Sequence, residues 1–474
     1  MPSALTIEAL QQALKHATEY INSLDRRPVV ATVPLEDLRA RLGRTLADEG
    51  IHPVRVIDDL VADTSGGHLG CAGARFFAWV IGGSLPSALA ADWLTSTWDQ
   101  NAALYACGPA AAVVEEIAGE WLKELLGLPR EASFAFTSGC QLAHFTCLAA
   151  ARHTVLRDVG WDVNADGVFG APKVRIITSD QGHASVDRAL RFLGFGNCSV
   201  VTVSAEENGR MSPATLQGAI ATDASPTIVV LNAGDLNMGA FDPFDRLIPI
   251  AKAAGAWVHV DGAFGLMARA SRSKRPLLAG IELADSWATD GHKWLNVPYD
   301  SGLAFVRDHA AHRASMTISA SYIAADRKAR DQIDSNPEWS RRGRGFAIYA
   351  ALRELGRSGL ERLIDRCCAH AHALVTAIGA LDGAEVLWKP SLNQGLVRFL
   401  DSRLAATDED HNARTESVIA AVNASGETFF SGTTWRGRRA MRVSVVNWRT
   451  TDDDVRRTVN AVASVLSKSN VHPS

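Results

Sequence analysis

Between residues 133 and 306 short apolar β-runs alternate with helical stretches, and that alternation constrains the fold more than any other feature of the chain. The runs lie at 133–136, 174–178, 199–203, 227–231, 257–260 and 303–306, with helices predicted at 140–156, 184–194, 212–221 and 244–254. Strand-then-helix repetition implies a largely parallel sheet covered on both faces, an α/β fold. Ligands of such folds bind beyond the carboxyl ends of the strands. Residues 1–70 read as helical and partly exposed, and the 110–122 stretch as an amphipathic helix. After Phe346 the pattern changes to a long helix (347–379) and β-runs at 385–388, 396–400 and 440–446. Three parts are therefore expected: an N-terminal helical segment 1–75, a large domain 76–345 and a small α+β domain 346–474.

Composition removes several classes of function. The 474 residues carry a net charge of −4, which offers no general attraction for nucleic acid or anionic lipid. No apolar run reaches the ~18–20 residues of a membrane span. The first ten residues lack a basic region followed by an apolar one, so no secretory signal is expected and the location reads as cytoplasmic. The seven cysteines are scattered, a pattern of reduced thiols rather than of a disulfide or zinc framework, and no metal is expected.

Chemistry-bearing residues collect at the predicted strand ends. Lys293 stands in Asp290-Gly-His-Lys293, 32 residues after Asp261, which closes the run Ala256-Trp-Val-His-Val-Asp261. A lysine that forms a Schiff base, with an aspartate to hold a pyridinium nitrogen, is the minimum machinery of pyridoxal phosphate (PLP) chemistry. A His-Lys pair alone is ordinary solvated surface, so upstream elements must carry the case. In Phe134-Ala-Phe-Thr-Ser-Gly-Cys-Gln-Leu-Ala-His144 a β-run turns into a helix. The amides there, at Gly139, Cys140 and Gln141, cradle an anion, or the turn is plain α/β geometry. Ser179-Asp-Gln-Gly-His-Ala-Ser185 sets His183 at a strand-to-helix junction, where the ring stacks on a planar cofactor, caps the helix or packs in the core. Asp261 either meets a cation or caps the next helix. Asn232 either approaches a cofactor's ring oxygen or forms a turn, while Asp290 and His292 are placed to help hold a phosphate. Phe76 and Trp79 line a substrate pocket or belong to the core, and Trp435-Arg-Gly-Arg-Arg439 reads as a solvated turn. No Gly-x-Gly-x-x-Gly opens the first βα unit, which argues against a dinucleotide site.

Together these segments resemble the group II PLP-dependent amino-acid decarboxylases, the aromatic-amino-acid and glutamate decarboxylase superfamily of fold type I. Ser179-Asp-Gln-Gly-His-Ala-Ser185 is similar to the family's Ser-Asp-Gln-x-His-Ser-Ser, and His259-Val-Asp-Gly-Ala-Phe-Gly265 to its His-Val-Asp-Ala-Ala-Phe-Gly. Asp290-Gly-His-Lys-Trp294 resembles its Pro-His-Lys-Trp segment, and Arg75-Phe-Phe-Ala-Trp79 its N-terminal substrate-side segment. The resemblance runs over roughly 50–460. It implies a fold type I enzyme with a large, mostly parallel sheet, and decarboxylation of an amino acid, with an aromatic side chain only hinted at. It implies a Schiff base on Lys293, Asp261 on the ring nitrogen, His183 stacked on the ring and Ala263 against the ring's other face. Cys140, Gln141 and His292 would lie at the phosphate. It also implies a homodimer, with 1–75 wrapped on the partner and the 326–342 loop closing a neighbouring site; the loop's polar composition predicts that it is mobile and solvent-facing until substrate binds. Family decarboxylases often carry a proton-donating tyrosine in that loop, and this chain has none there. Tyr322 and His183 are the candidates left, and an aldehyde synthase, an aldolase or other α-carbon chemistry is the alternative.

Overall fold

The computed structural model describes residues 2–317 and 329–469. The chain forms two compact units, one of Gly82–His372 with Trp388–Gly395, the other of Met1–Ile81, Ala373–Leu387 and Leu396–Ser474. The N-terminal helices and the last strands thus share a unit rather than forming separate segments. Long-range pairing explains this. Buried Arg75 donates from Nε to the Glu427 carbonyl at 2.8 Å and pairs with Asp454 at 3.4 Å, and Phe76 stacks on Phe429 at 5.2 Å.

The larger unit is built on seven strands: β1 Ser133–Thr137, β2 Arg175–Ser179, β3 Val200–Val203, β4 Thr227–Asn232, β5 Trp257–Asp261, β6 Ser286–Asp290 and β7 Gly302–Val306. Their order is β1-β7-β6-β5-β4-β2-β3. β2 to β6 run parallel, and β7 is antiparallel to both of its neighbours. β1 therefore points the same way as β6. β6 escaped the sequence pattern because Ser-Trp-Ala-Thr-Asp is mostly small or polar, yet all five residues are buried between β5 and β7. The helix Cys140–Arg157 lays Ala143, Cys147 and Ala150 on Ile176, Ile228, Val230, Ala288 and Ala304. Small side chains on this face let the helix lie close to the sheet. One edge of the sheet collects the carboxyl ends of β1, β2, β4, β5 and β6, with Thr137, Ser179, Asn232, Asp261 and Asp290 as the last residues.

The described part of the 326–342 loop differs from the mobile, solvent-facing segment expected. Gln332, Ile333, Ser335, Asn336 and Arg341 are all buried. Asn336 Nδ2 and Arg341 Nη2 donate to the Phe136 carbonyl at 2.7 and 2.6 Å, and the Arg330 guanidinium lies 3.9 Å over the Phe134 ring. Arg341 also pairs with buried Glu115 at 2.8 Å. β1 is an edge strand, so carbonyls turned away from β7 need donors, and this segment supplies them.

The other unit carries the helices Pro2–Ser23, Leu35–Leu42 and Pro53–Thr64, and most of a second sheet, ordered β10-β11-β9-β8. Its strands are β8 Ala384–Trp388, β9 Gln394–Phe399, β10 Ser431–Trp435 and β11 Arg438–Ser444. Arg436 and Gly437, with φ of 51° and 77°, form the two-residue turn between β10 and β11. Positive φ at both central positions matches the strands' twist, so the basic cluster is a hairpin tip. Among the described residues, no helix is long and apolar enough to cross a membrane.

Candidate active site

β6 delivers Asp290 to the sheet edge, and the following turn brings Lys293 Nζ to 2.9 Å from Asp290 Oδ2. The turn leaves no room for side chains at two flanking glycines. A Cβ at Gly82 would fall 2.1 Å from the Lys293 carbonyl oxygen, and one at Gly291 2.6 Å from Ser301 Oγ. Asp290 Oδ1 accepts the Cys140 N–H at 2.6 Å, so this carboxylate also caps the helix Cys140–Arg157. Burial alone would depress the Lys293 ammonium, but Asp290 overrides it and holds the pKa above the ordinary lysine value. His292 Nε2 lies 3.7 Å from Asp290 Oδ1, its Nδ1 accepts the Ser301 N–H at 3.1 Å, and its ring stacks on Tyr299 at 4.2 Å. Burial pushes the His292 pKa down, which favours the neutral ring.

Asp261, buried at the end of β5, is in register with Asn232 on β4. Its Oδ1 accepts the Ala263 N–H at 3.1 Å. Burial would lift this carboxyl, yet His144, His183, the Ala263 N–H and Lys293 outweigh it and hold the pKa below the carboxylate range. Asn232 is also buried, and its Nδ2 donates to Ser179 Oγ at 3.1 Å. His183 is exposed and caps the helix Ala184–Phe192, its Nδ1 accepting the Ser185 N–H at 3.2 Å, while still acting electrostatically on Asp261. Gln141 Oε1 accepts from Arg188 Nη1 at 3.4 Å.

Gly139 keeps the floor of the site open. A Cβ there would point at His292 Cε1 and Asp290 Oδ1, 3.7 and 3.9 Å away. Gly302 lets β7 start against this turn, since a Cβ on it would lie 2.3 Å from the Gly139 carbonyl carbon. Lys293, Asp290, His292, Cys140, Gly139, Asp261 and Ala263 are thus brought together, with Asn232 beside Asp261. Phe76 and Trp79 belong to the other unit, where Phe76 is buried and Trp79, half exposed, tilts against it at 5.9 Å. Tyr322 lies outside the described residues.

Two residues with no role assigned from sequence join the site. His144 Nε2 faces Asp261 Oδ2 at 3.6 Å, and His144 Nδ1 lies 2.9 Å from His259 Nε2. Strand alternation carried a signal for His259, which sits two residues before Asp261 and so on the same face of β5. For His144 the signal was its position four residues after Cys140, one helical turn on.

PLP needs an amine for its aldehyde, an anionic partner for its ring nitrogen and a place for its phosphate. Lys293 and the ionised Asp261 match the first two. The third is matched by the side-chain-free turn at Gly139, with His292 and the amides around Gln141 as the groups that would meet the phosphate. The Ser301 hydroxyl, buried and without a partner among the described residues, adds a spare polar group at the Lys293 turn. These residues fit the cofactor.

Comparison with known proteins agrees. Residues 70–400 match the model of the pyridoxal-dependent decarboxylase conserved domain. The chain is 28% identical over 452 residues to the aromatic-L-amino-acid decarboxylase of Bacillus atrophaeus, covering 94% of this chain and 92% of that one. It is 30% identical over 395 residues to the L-2,4-diaminobutyrate decarboxylase of Rhizobium meliloti (strain 1021), covering 81% and 76%. The crystal structure of Oryza sativa TDC with PLP and tryptamine superposes with a TM-score of 0.92 at 24% identity, covering 98% of both chains. That of Rhodiola rosea 4-hydroxyphenylacetaldehyde synthase gives 0.88 at 22%, again over 98% of both. The fold is shared with both. With a lysine, a buried carboxylate and a glycine-floored turn meeting at one sheet edge, and a family model matched across most of the chain, this protein belongs to the pyridoxal-dependent decarboxylase family, the PLP-dependent carboxy-lyases of amino acids.

Proposed function

We propose that this chain removes the α-carboxylate of an L-amino acid as CO2 and releases the amine, with PLP held as a Schiff base on Lys293. The observation that carries the reading is the pairing of Lys293 Nζ with Asp290 at 2.9 Å beside a buried Asp261 held in its ionised form. Bound PLP supplies a conjugated sink for the electron pair that the departing carboxylate leaves behind. Asp261, buried at the end of β5, offers a fixed negative charge that would keep a proton on the ring nitrogen. Lys293 would hold the cofactor's aldehyde, and Asp290, 2.9 Å from its Nζ, would partner the ammonium whenever the lysine is free. Ala263 would support the ring from one side, and exposed His183 would cover the other and meet the substrate carboxylate. Tyr322 or His183 would return a proton to the α-carbon.

Aromatic amino acids come first as substrates, because an aromatic-L-amino-acid decarboxylase and the tryptophan decarboxylase 1 of Oryza sativa subsp. japonica are among the relatives. The test is incubation of PLP-loaded protein with each of the twenty amino acids while CO2, amine and peroxide are measured. Amine and CO2 in equal amounts support the reading. Stoichiometric aldehyde and peroxide would support an aldehyde synthase instead, a reading favoured only by the lack of a tyrosine at 326–342.

The same reading includes a homodimer. Ile7, Leu10 and Leu14 on the helix Pro2–Ser23, and Val56 and Leu60 on Pro53–Thr64, are exposed apolar side chains that a second copy would cover.

A further inference from the structure

Behind Asp261 a buried chain of close polar contacts runs back along one face of β5 and β6. Trp257 Nε1 lies 3.0 Å from Ser286 Oγ, Ser286 Oγ 2.9 Å from His259 Nδ1, and His259 Nε2 2.9 Å from His144 Nδ1. His144 Nε2 ends the chain 3.6 Å from Asp261 Oδ2 and 3.4 Å from Cys140 Sγ. Both imidazoles are fully buried and meet edge to face at 88°.

A carboxylate 3.6 Å from His144 Nε2 favours a proton on that nitrogen, and the indole at the other end is compatible with it. An indole N–H only donates, so Ser286 Oγ accepts from Trp257, and its own hydrogen has His259 Nδ1 and the Cys147 sulfur as acceptors; the relay uses the first. His259 then carries its proton on Nε2 and donates to His144 Nδ1. That leaves the His144 proton on Nε2, facing the carboxylate that needs a donor. We propose that His144 and His259 are positioning residues for Asp261: the relay from Trp257 and Ser286 fixes the His144 tautomer, presents an N–H to the carboxylate, and keeps Asp261 ionised and aimed at the cofactor's ring nitrogen. This rests on the cofactor reading above and adds a residue set to it. Cys140, Cys147, Asp290, His183 and Lys293 are the other titratable groups around the relay. Burial disfavours charge on both rings and brings the His259 pKa to about 3, so a neutral relay is maintained across the working pH range.

The test compares wild type with His144→Leu, His144→Asn and Ser286→Ala, each alone and in an Asp261→Asn background. Three quantities are read: the PLP dissociation constant of the apo-protein, the pH midpoint of the loaded protein's visible absorption band, and kcat and KM. His144→Leu is expected to lower kcat by roughly ten- to a hundredfold, as loss of an outer partner of a key ligand does, with KM within about threefold. It should also move the band's midpoint by roughly half a pH unit or more, because the charge next to the ring nitrogen is less well held. His144→Asn, which keeps a neutral donor, should recover most of both. Ser286→Ala, three groups from Asp261, should move the band in the same direction by less. With Asp261→Asn in place, none of these changes should move the band further. A folded His144→Leu protein with wild-type kcat and midpoint would overturn the relay, as would equal shifts with and without Asp261. Should His144→Leu fail to fold, an unmoved band in Ser286→Ala overturns it. Wild type that takes up no PLP would overturn the cofactor reading itself, and the relay with it.

Discussion

Asp261 and Lys293 act as single residues whose roles are set by what surrounds them. An aspartate at a strand end is ambiguous in sequence. The buried setting, the Ala263 N–H and the facing His144 make this one a fixed anion. Asp261→Asn is expected to lower kcat by roughly 30- to 1000-fold, on the order of 2–4 kcal/mol at the transition state, with much smaller loss of PLP affinity. Near-normal turnover in that variant would refute the assignment. Buried histidines also set the protein's response to acid. Burial holds His259 and His312 neutral, each with a pKa of about 3 against an unfolded value near 6.5. Their folded pKa values are depressed, so the stability they contribute is present above about pH 6.5 and drains away as pH falls towards 3. Asp242 works the other way, since burial raises its pKa to about 6 and protonation below that favours the folded chain. From these three groups unfolding should take up roughly one proton per chain between about pH 6 and 4, since two histidines gain a proton on unfolding and Asp242 loses one. Denaturant titrations across pH 4–8 check this, and a flat profile contradicts it.

At the scale of elements, the strands with strong apolar runs were legible and those without were not. β2, β4, β5 and β7 read directly from Ile, Val, Leu and Phe, with ends within a residue or so of those observed. β6 was hidden because its burial comes from its neighbours β5 and β7, not from its own side chains. β10 was hidden because the hairpin turn at Arg436–Gly437 lacks the usual Asn-Gly and reads as a basic cluster. The 329–342 segment misled for a third reason. Its arginines and asparagine look like solvated loop residues, yet their acceptors are β1 carbonyls some two hundred positions earlier in the chain. That clamp has a measurable cost. Arg341→Ala leaves Glu115 buried and unpaired, and should destabilise the larger unit by roughly 3–5 kcal/mol. Arg341→Met with Glu115→Leu should restore most of it, as judged by urea midpoints. Equal losses in the single and double variants would argue against the pair as the cause. The candidate site was legible in its motifs: Asp261 ends and His183 follows a strand with a strong apolar run, while Lys293 stood out through Asp290-Gly-His-Lys293 although β6 itself was hidden. The relay behind Asp261 was not, because it depends on a helix and two strands meeting in space.

For the whole molecule, the open question is what covers the N-terminal helices. The apolar positions on Pro2–Ser23 and Pro53–Thr64 are expected to be buried by a second copy, so sedimentation at micromolar concentration should give about twice the 50.8 kDa chain mass. Leu14→Asp with Leu60→Asp should shift the protein towards the monomer and lower activity together. Wild type that sediments as a single chain with full activity would remove the dimer from the account.

Whether Lys293 carries the cofactor, as proposed, is decided at the residue itself by borohydride reduction. Protein loaded with PLP is expected to be yellow, to bleach on reduction, and to yield one pyridoxyl-modified peptide that contains Lys293. Lys293→Ala should bind PLP only noncovalently and show no turnover. Protein that stays colourless with added PLP, or that carries the label on another lysine, would contradict the account.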